Sequence, residues 1–419
     1  MNINTIFKVL YFRCCFTSFV KNKFGLKIVV FALFSFTFSL SLMAQSLMDT
    51  TIISSTKKIF AGNTGQFSFG SYGEAHYNAP VESGKFRNGT ADLHRVILFM
   101  GYKFTEKLQF FSEIEFEHAK EVFVEQAFIS YKFNSAFNLK TGVILIPMGY
   151  VNEFHEPTLF NGVERPAVDK AVIPTTWREL GLGFHGLVKA ANIKYQLYVV
   201  NGFKGYDGSA KFSGSEGLRS ARQKASKTTV RTPSLTGKVT FYGINGLHVG
   251  LAGYYGKSET SLYDNIDTDD TDGVANADST ILGISMAAIN IEYRIKNIKF
   301  RGEGIITSFS NTKEYNSFNG ANVGKQIVGF YGELAYEYKL KKKDFPKLIP
   351  FVRYENYDTH YKVDADIARN TSYSNEVLTA GVALQLTPGT IFKTDYQWIK
   401  TKANQAPTGL FNLGFGYWF

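Results

Sequence analysis

Cysteine is nearly absent from this sequence: 2 of 419 residues, Cys14 and Cys15, both close to its beginning. A disulfide-stapled scaffold is therefore excluded, and the rest of the chain has no thiol nucleophile. Long apolar runs are equally scarce, because one stretch, residues 28–44, is the single example. A helical protein that crosses a membrane several times is excluded for that reason.

The segment before residue 45 has basic residues but no acidic ones, since Asp49 is the first acid. Its basic residues precede the apolar run 28–44, which closes on the small residue Ala44. This order predicts a cleaved signal peptide over residues 1–44. A retained membrane anchor is the alternative, although the run is short for a span. The basic residues closest to the run are Arg13, Lys21, Lys23 and Lys27.

Charge excess and metal-ligand spacing are both weak in the remaining chain. Removal of residues 1–44 lowers the net charge from +10 to +5, since five basic residues and no acid lie there. Nucleic acid is therefore not expected as a partner. The 7 histidines are scattered without a close pair. We accordingly expect no metal site, no cofactor and no enzymatic activity.

Apolar and polar residues alternate with period 2 in many segments of residues 65–419. In residues 108–118, for example, Leu108, Phe110 and Phe116 lie on one face, whereas Glu115 and Glu117 lie on the other. Sixteen such segments predict strands. They lie at 66–77, 92–104, 108–118, 122–133, 138–147, 179–190, 193–203, 234–243, 247–257, 280–294, 297–308, 325–339, 348–357, 374–386, 390–400 and 409–419.

Short turns and longer links alternate between these segments. That pattern is typical of an outer-membrane barrel with short periplasmic turns and long outer loops. We predict an all-β fold, a transmembrane antiparallel up-and-down β-barrel of about 16 strands over residues 65–419. Residues 45–64 form a short periplasmic segment, and a constriction loop is inserted at 148–178. A soluble β-sandwich or β-propeller also explains the alternation, but not the loop lengths.

The last predicted strand is apolar on one face up to its final residue, Phe419. It resembles the terminal assembly signal of Gram-negative outer-membrane barrels, carried here by Phe415, Tyr417 and Phe419. The resemblance implies the barrel-assembly machinery as a partner, with outer-membrane lipid and lipopolysaccharide as surroundings.

A second stretch is more specific. It resembles the phosphate-selective porin O and P family in its Bacteroidetes form. That form has an EQA-aromatic strand, a G-x-N-E-x-H-E-P loop and a P-T-T-W-x-E-x-G return strand. The matching residues are Glu125, Gln126, Ala127, Gly149, Asn152, Glu153, His155, Glu156, Pro157, Gly162, Val163, Arg165, Pro166, Pro174, Thr175, Thr176, Trp177, Glu179 and Gly181.

This resemblance implies a sixteen-stranded channel in the outer membrane of a Bacteroidetes-like Gram-negative bacterium. The family is usually homotrimeric, with a constricting loop after the fifth strand and small anions such as phosphate as cargo. Our segment count independently puts the 148–178 link after the fifth strand. The expected function is a porin that passes small hydrophilic solutes passively. The alternatives are a general non-selective porin and a surface adhesion or structural barrel with a closed lumen.

Charged residues of the 148–178 loop are the candidate constriction residues. Its bases could attract an anion, but interleaved acids could instead pin the loop to the wall by ion pairs. The candidates are Glu153, His155, Glu156, Arg165, Lys170 and Arg178. On the predicted inner faces, four bases form the one candidate basic stripe, unless neighbouring acids pair with them. They are Arg294, Lys299, Arg301 and Arg353.

Two outer links have opposite charge. Link 204–231 is basic and would either steer anions to the mouth or contact lipopolysaccharide. Link 259–278 is acidic, and its DTDDTDG stretch resembles a calcium loop. The spacing does not fit, because Gly273 at position six puts Thr268 at position one and Ser279 at position twelve.

Overall fold

The computed structural model describes residues 63–267, 269–341 and 344–419. The predicted signal peptide, 1–44, and nearly all of the predicted segment 45–64 lie outside these residues. In these residues, two-residue strands aside, sixteen antiparallel strands form one sheet. They are β1 Phe67–Glu82, β2 Thr90–Lys103, β3 Leu108–Glu117, β4 Glu121–Lys132, β5 Asn138–Leu145, β6 Arg178–Val188, β7 Ile193–Val200, β8 Ser234–Ile244, β9 Leu247–Lys257, β10 Gly283–Ile295, β11 Ile298–Ser310, β12 Gln326–Tyr336, β13 Lys347–Lys362, β14 Ser374–Thr387, β15 Thr390–Thr401 and β16 Thr408–Trp418.

The sheet closes on itself, because β1 pairs with both β2 and β16. Ala75 lies opposite Phe415 in this closing pair, and the backbone N–H of Phe419 donates to the carbonyl of Ser71 over 2.9 Å. Closure removes the unpaired edges that an open sheet would have. The predicted sixteen-stranded antiparallel barrel is confirmed.

Links of very different length leave the two ends of the barrel. At one end two-residue turns join β8 to β9, β10 to β11 and β14 to β15. At the other end lie residues 146–177, 201–233 and 258–282. The predicted inserted loop, 148–178, therefore corresponds to residues 146–177, between β5 and β6. None of the helices in the described part of the chain has the length and apolarity needed to cross a bilayer.

The α-helices of the described residues are short and lie in the long links. They are α1 Tyr150–Glu153, α2 Ala167–Ala171, α3 Thr271–Ser279 and α4 Thr312–Asn319. The acidic stretch of link 259–278 has a structural role here, because the Asp270 carboxylate accepts the backbone N–H of Gly273 over 2.9 Å. Asp270 is thus the N-cap of α3, a position that favours aspartate.

The two faces of the barrel differ in chemistry. Large apolar side chains on alternate residues, such as Leu251, Phe330 and Leu413, are about half exposed on the outer face. Charged side chains such as Glu303 and Arg353 are buried on the inner face. This is the reverse of a soluble barrel and agrees with the polarity of barrels whose outer face contacts lipid.

The inner face is less uniformly polar than the alternation of the strands predicts. Phe99, Phe111, Phe128, Ile284 and Phe309 are buried within the main apolar cluster. That cluster extends onto residues of the 146–177 and 201–233 links, which fold inward over it. The lumen is therefore partly filled by side chains, although sixteen strands would otherwise leave a wide aqueous space.

Candidate functional site: a loop across the lumen

The two ends of loop 146–177 are held together by Asn152. Its side-chain amide donates to the carbonyls of Ile146 and Trp177 over 2.8 and 3.1 Å, and its carbonyl accepts the Trp177 N–H over 2.7 Å. The Trp177 indole is fully buried and stacks on Phe203, with ring centroids 4.6 Å apart. The base of the loop is therefore a closed, rigid turn.

From this base the loop crosses the lumen to the opposite wall. Three of its backbone N–H groups donate to wall carboxylates at 2.7 to 3.1 Å, which satisfies donors that would otherwise be buried without partners. The pairs are Tyr150 with Glu303 of β11, Val163 with Asp395 of β15 and Val168 with Glu355 of β13. Several inner-face acids therefore hold the loop in place instead of facing open solvent.

The acidic side chains of the loop also bind the wall. Glu153 forms an ion pair with Lys238 of β8 over 2.6 Å. Glu164 accepts hydrogen bonds from His76 over 3.2 Å and from Asn78 over 2.9 Å, both on β1. Burial raises the pKa of Glu164, but these two hydrogen bonds outweigh burial and lower it to about 2. The expected pinning of the loop by its acids is therefore present.

The three basic candidates, two in the loop and Arg178 at the start of β6, behave differently. Within the described part of the chain, Arg165, Lys170 and Arg178 have no acidic partner at ion-pair distance. Lys170 is exposed, whereas Arg178 is buried with its guanidinium 5.5 Å from the Phe123 ring centroid. Burial, followed by the nearby charge of Arg95, lowers the pKa of Arg165. These positive charges are not neutralised by close contacts.

Link 201–233 brings three further cations to Arg178. Arg219 donates to the carbonyl of Thr175 over 2.8 Å, and Arg222 donates to the carbonyl of Pro174 over 2.9 Å. The Lys224 ammonium lies 5.1 Å from the same Phe123 ring that Arg178 covers. We name these residues the mouth cation cluster: Arg178, Arg219, Arg222 and Lys224.

The mouth cation cluster carries an excess of positive charge. None of its members forms an ion pair with a described residue. Arg219 and Arg222, both in link 201–233, donate to neutral carbonyls instead. Burial, followed by the charges of Arg219 and Arg178, lowers the pKa of Arg222. Burial also lowers the pKa of Lys224, with Arg222 as the next cause. A small anion placed among these side chains would relieve their mutual repulsion.

The candidate basic stripe on the wall is paired with acids. Each of the four bases lies on an inner-face position with a carboxylate within 3.5 Å. The pairs are Arg294 with Glu337 at 3.1 Å, Lys299 and Arg301 with Glu292 at 3.5 and 3.1 Å, and Arg353 with Glu333 and Glu355 at 3.3 and 2.8 Å. These bases therefore do not form an unpaired ladder for anions.

Two remaining candidates, His155 and Glu156, are buried residues of the loop itself. The His155 ring contacts the Tyr72 hydroxyl over 2.7 Å and the Glu125 carboxylate over 3.3 Å. These contacts join residues that are distant in sequence, so no local pattern could have predicted them. The loop motif and the strand motif of β4 thus meet where His155 contacts Glu125.

Comparisons with known structures place the fold among outer-membrane porins. OprB of Pseudomonas putida matches with a TM-score of 0.54 and 11% identity, over 87% of this chain and 96% of that one. OmpF of Salmonella typhi, in complex with daunomycin, matches with a TM-score of 0.52 and 11% identity, over 85% of this chain and 98% of that one. The outer membrane channel DcaP of Acinetobacter baumannii matches with a TM-score of 0.50 and 13% identity, over 85% of this chain and 100% of that one.

At the level of sequence, the chain is 33% identical over 348 residues to a protein of Aquifex aeolicus (strain VF5) described as uncharacterized. The match covers 78% of this chain and 74% of that protein. The chain belongs to the same family as this Aquifex protein. A search against protein-family models gave no match.

Proposed function

We propose that this protein is an outer-membrane porin through which small hydrophilic solutes diffuse passively. The observation that carries the proposal is the closed sixteen-stranded barrel with an apolar outer face and a loop folded across its lumen. Closure pairs each strand with a neighbour on both sides, as the interior of a bilayer requires, and the loop narrows the passage. Porin-like solved structures support the same fold.

Uptake of sugars into liposomes tests this function directly. Purified protein is reconstituted into vesicles, and swelling is followed in isotonic solutions of sugars of increasing size. A porin gives swelling rates that fall steeply with solute size. Vesicles that do not swell in any of these sugars would contradict the proposal.

We further propose that the channel prefers small anions, as the resemblance to the phosphate-selective porin family implies. The mouth cation cluster supports this preference, because it gathers four positive side chains without an acidic partner. Arginine presents a planar fork that matches phosphate geometry. The paired wall bases do not contribute, so selectivity arises at the mouth of the channel. The implied homotrimer is part of the same proposal and is tested by native mass spectrometry in detergent.

Reversal potentials under a KCl gradient test the anion preference. We expect the double variant R219Q/R222Q to lose most of the preference for chloride over potassium, with single-channel conductance changed less than twofold. K227Q is the matched control, because Lys227 lies in the same link, is exposed and is outside the cluster. If R219Q/R222Q and K227Q both retain the wild-type reversal potential, the cluster does not set selectivity.

A barrel with a closed lumen is the second candidate function, and one observation favours it. The apolar cluster inside the barrel includes Phe99, Phe128, Phe309 and Trp177, all buried. Such a core would suit a structural or adhesion barrel that presents its outer loops to a partner. The liposome experiment separates the two functions, because a closed barrel folds and inserts but admits no solute.

A further inference from the structure

A group of metal-binding side chains lies between the loop and the barrel wall. His155 comes from the loop, Glu113 from β3 and Glu125 from β4, and all three are buried. One potential ligand atom from each residue lies within 4.8 Å of those from the other two. No metal site was expected from the sequence, because its histidines form no close pair.

Glu125 is the unusual member of this group. Its side chain is fully buried, and neither carboxylate oxygen accepts a hydrogen bond. Its nearest basic atom is Nε2 of His155, 3.3 Å from Oε2, but the same nitrogen lies 2.7 Å from the Tyr72 hydroxyl. One ring nitrogen carries at most one hydrogen and cannot donate to both oxygens. A buried carboxylate without a donor is costly unless a cation compensates it.

The surroundings orient these groups as ligands. Nδ1 of His155 lies 3.4 Å from the carbonyl of Asn152; in the tautomer with the proton on Nδ1, the ring donates to this carbonyl and Nε2 is free to coordinate a metal ion. Gln126 donates to Glu113 over 2.6 Å and fixes that carboxylate. The 3.3 Å between His155 Nε2 and Glu125 Oε2 equals the ligand spacing of about 3.3 Å that bonds of about 2.0–2.1 Å give in a tetrahedral zinc site.

The local charge balance also favours a cation. The guanidinium of Arg95 is directed to other acceptors, because its Nε donates to Glu74 over 2.7 Å and its Nη2 donates to the carbonyl of His155. Among the described residues, neither Glu113 nor Glu125 has an arginine or lysine at ion-pair distance, and the imidazole of His155 is the one basic group that close to Glu125.

We propose that Glu113, Glu125 and His155 bind a divalent transition-metal ion of the zinc type, which joins the constriction loop to the wall. One imidazole and two carboxylates are suitable zinc ligands, and the Tyr72 hydroxyl or a water molecule supplies the fourth position. The ion would compensate Glu125 and fix the loop at the point where its motif meets the β4 motif.

Metal content of the purified barrel tests this proposal. Protein extracted from bacterial outer membranes in detergent is stripped with EDTA, incubated with zinc chloride, desalted and measured by elemental mass spectrometry. A second group with two imidazoles, Asp92, His94 and His118, is part exposed and could also bind zinc. All measurements are therefore made on the H118N background as well as on the wild type.

We expect one zinc ion per chain in H118N, and a loss of at least tenfold when E125Q or H155Q is added. The same zinc content in H118N with and without E125Q would overturn the proposal, as would the absence of zinc from H118N. If neither added variant folds, X-ray absorption at the zinc edge of H118N decides. One imidazole with oxygen neighbours supports the site, whereas several imidazoles or sulfur would contradict it.

Discussion

Arg353 is a charged side chain that the barrel wall buries almost completely. It forms ion pairs with Glu333 and Glu355 and also donates to the backbone carbonyl of Glu164 in the loop. Because both partners are acidic, Arg353 is not available to bind an anion in the predicted basic stripe. Sequence alone placed it correctly on an inner-face position, because strand periodicity fixes the face. The pattern also offers Glu355, two residues away on the same face, as a partner, but it could not show Glu333 on the neighbouring strand or the loop carbonyl.

We predict that R353Q destabilises the barrel by about 3–5 kcal/mol, because it leaves two buried carboxylates without their shared cation. Urea unfolding of the protein in lipid vesicles, followed by tryptophan fluorescence, measures the change. R87Q is the control, since Arg87 and its partner Glu82 are more than half exposed in their ion pair. That control should cost at most about 1 kcal/mol. Equal stability of the two variants would show that the Arg353 pairs contribute little.

At the scale of elements, all sixteen strands were predictable because each keeps its period-2 pattern. The predicted ends differ where polar residues replace the alternation. β1 extends to Glu82 beyond the predicted residue 77, and β13 extends to Lys362 beyond 357. The loop contacts were not predictable, because pairs such as Val163 with Asp395 leave no local signal.

The β4 strand contains an irregularity that shapes the site. Glu113 lies opposite Gln126 but Ile114 lies opposite Val124, so Glu125 is an extra residue, a β-bulge. Because of the bulge, the consecutive side chains of Glu125 and Gln126 are both buried on the inner face. The neighbouring strand β5 packs closely against β4 at Gly142. There φ is +129°, and a Cβ would lie 2.3 Å from the Ala127 carbonyl oxygen.

We predict that G142A lowers the stability of the folded barrel by at least about 1–3 kcal/mol, because alanine disfavours this backbone conformation. The measurement is the urea midpoint of folding into lipid vesicles. G253A is the matched control, since a Cβ at Gly253 would meet the Met286 carbonyl oxygen at an ordinary 3.6 Å. If G142A and G253A give the same midpoint, the close packing of β5 on β4 is not a constraint.

For the whole molecule, the apolar outer face is the feature that defines how it sits in a bilayer. Aromatic side chains group at the end with the short turns, where Tyr131 and Phe133 pack with centroids 4.8 Å apart and Phe137 stacks on Phe184 at 4.6 Å. Such aromatic girdles mark the interface between lipid and water in outer-membrane barrels. Leu251 lies away from both ends of β9 and is well exposed.

We predict that L251R destabilises the barrel folded in lipid vesicles by about 2–4 kcal/mol, because the charge enters the middle of the bilayer. F137R, at the girdle, should cost about 0–1 kcal/mol from its charge. Urea titration of folding in vesicles measures both. Equal effects at the two positions would contradict the proposed placement of the membrane.

Single-channel conductance in planar bilayers tests the central claim, that the lumen is a passage narrowed by loop 146–177. The wild type is compared with a variant in which residues 148–175 are replaced by a short Gly-Ser linker, which the 3.0 Å contact between the Ile146 N–H and the Trp177 carbonyl allows. We expect stable stepwise openings for the wild type and a severalfold larger conductance for the variant. A folded wild-type barrel with no openings, or two proteins with equal conductance, would contradict the account.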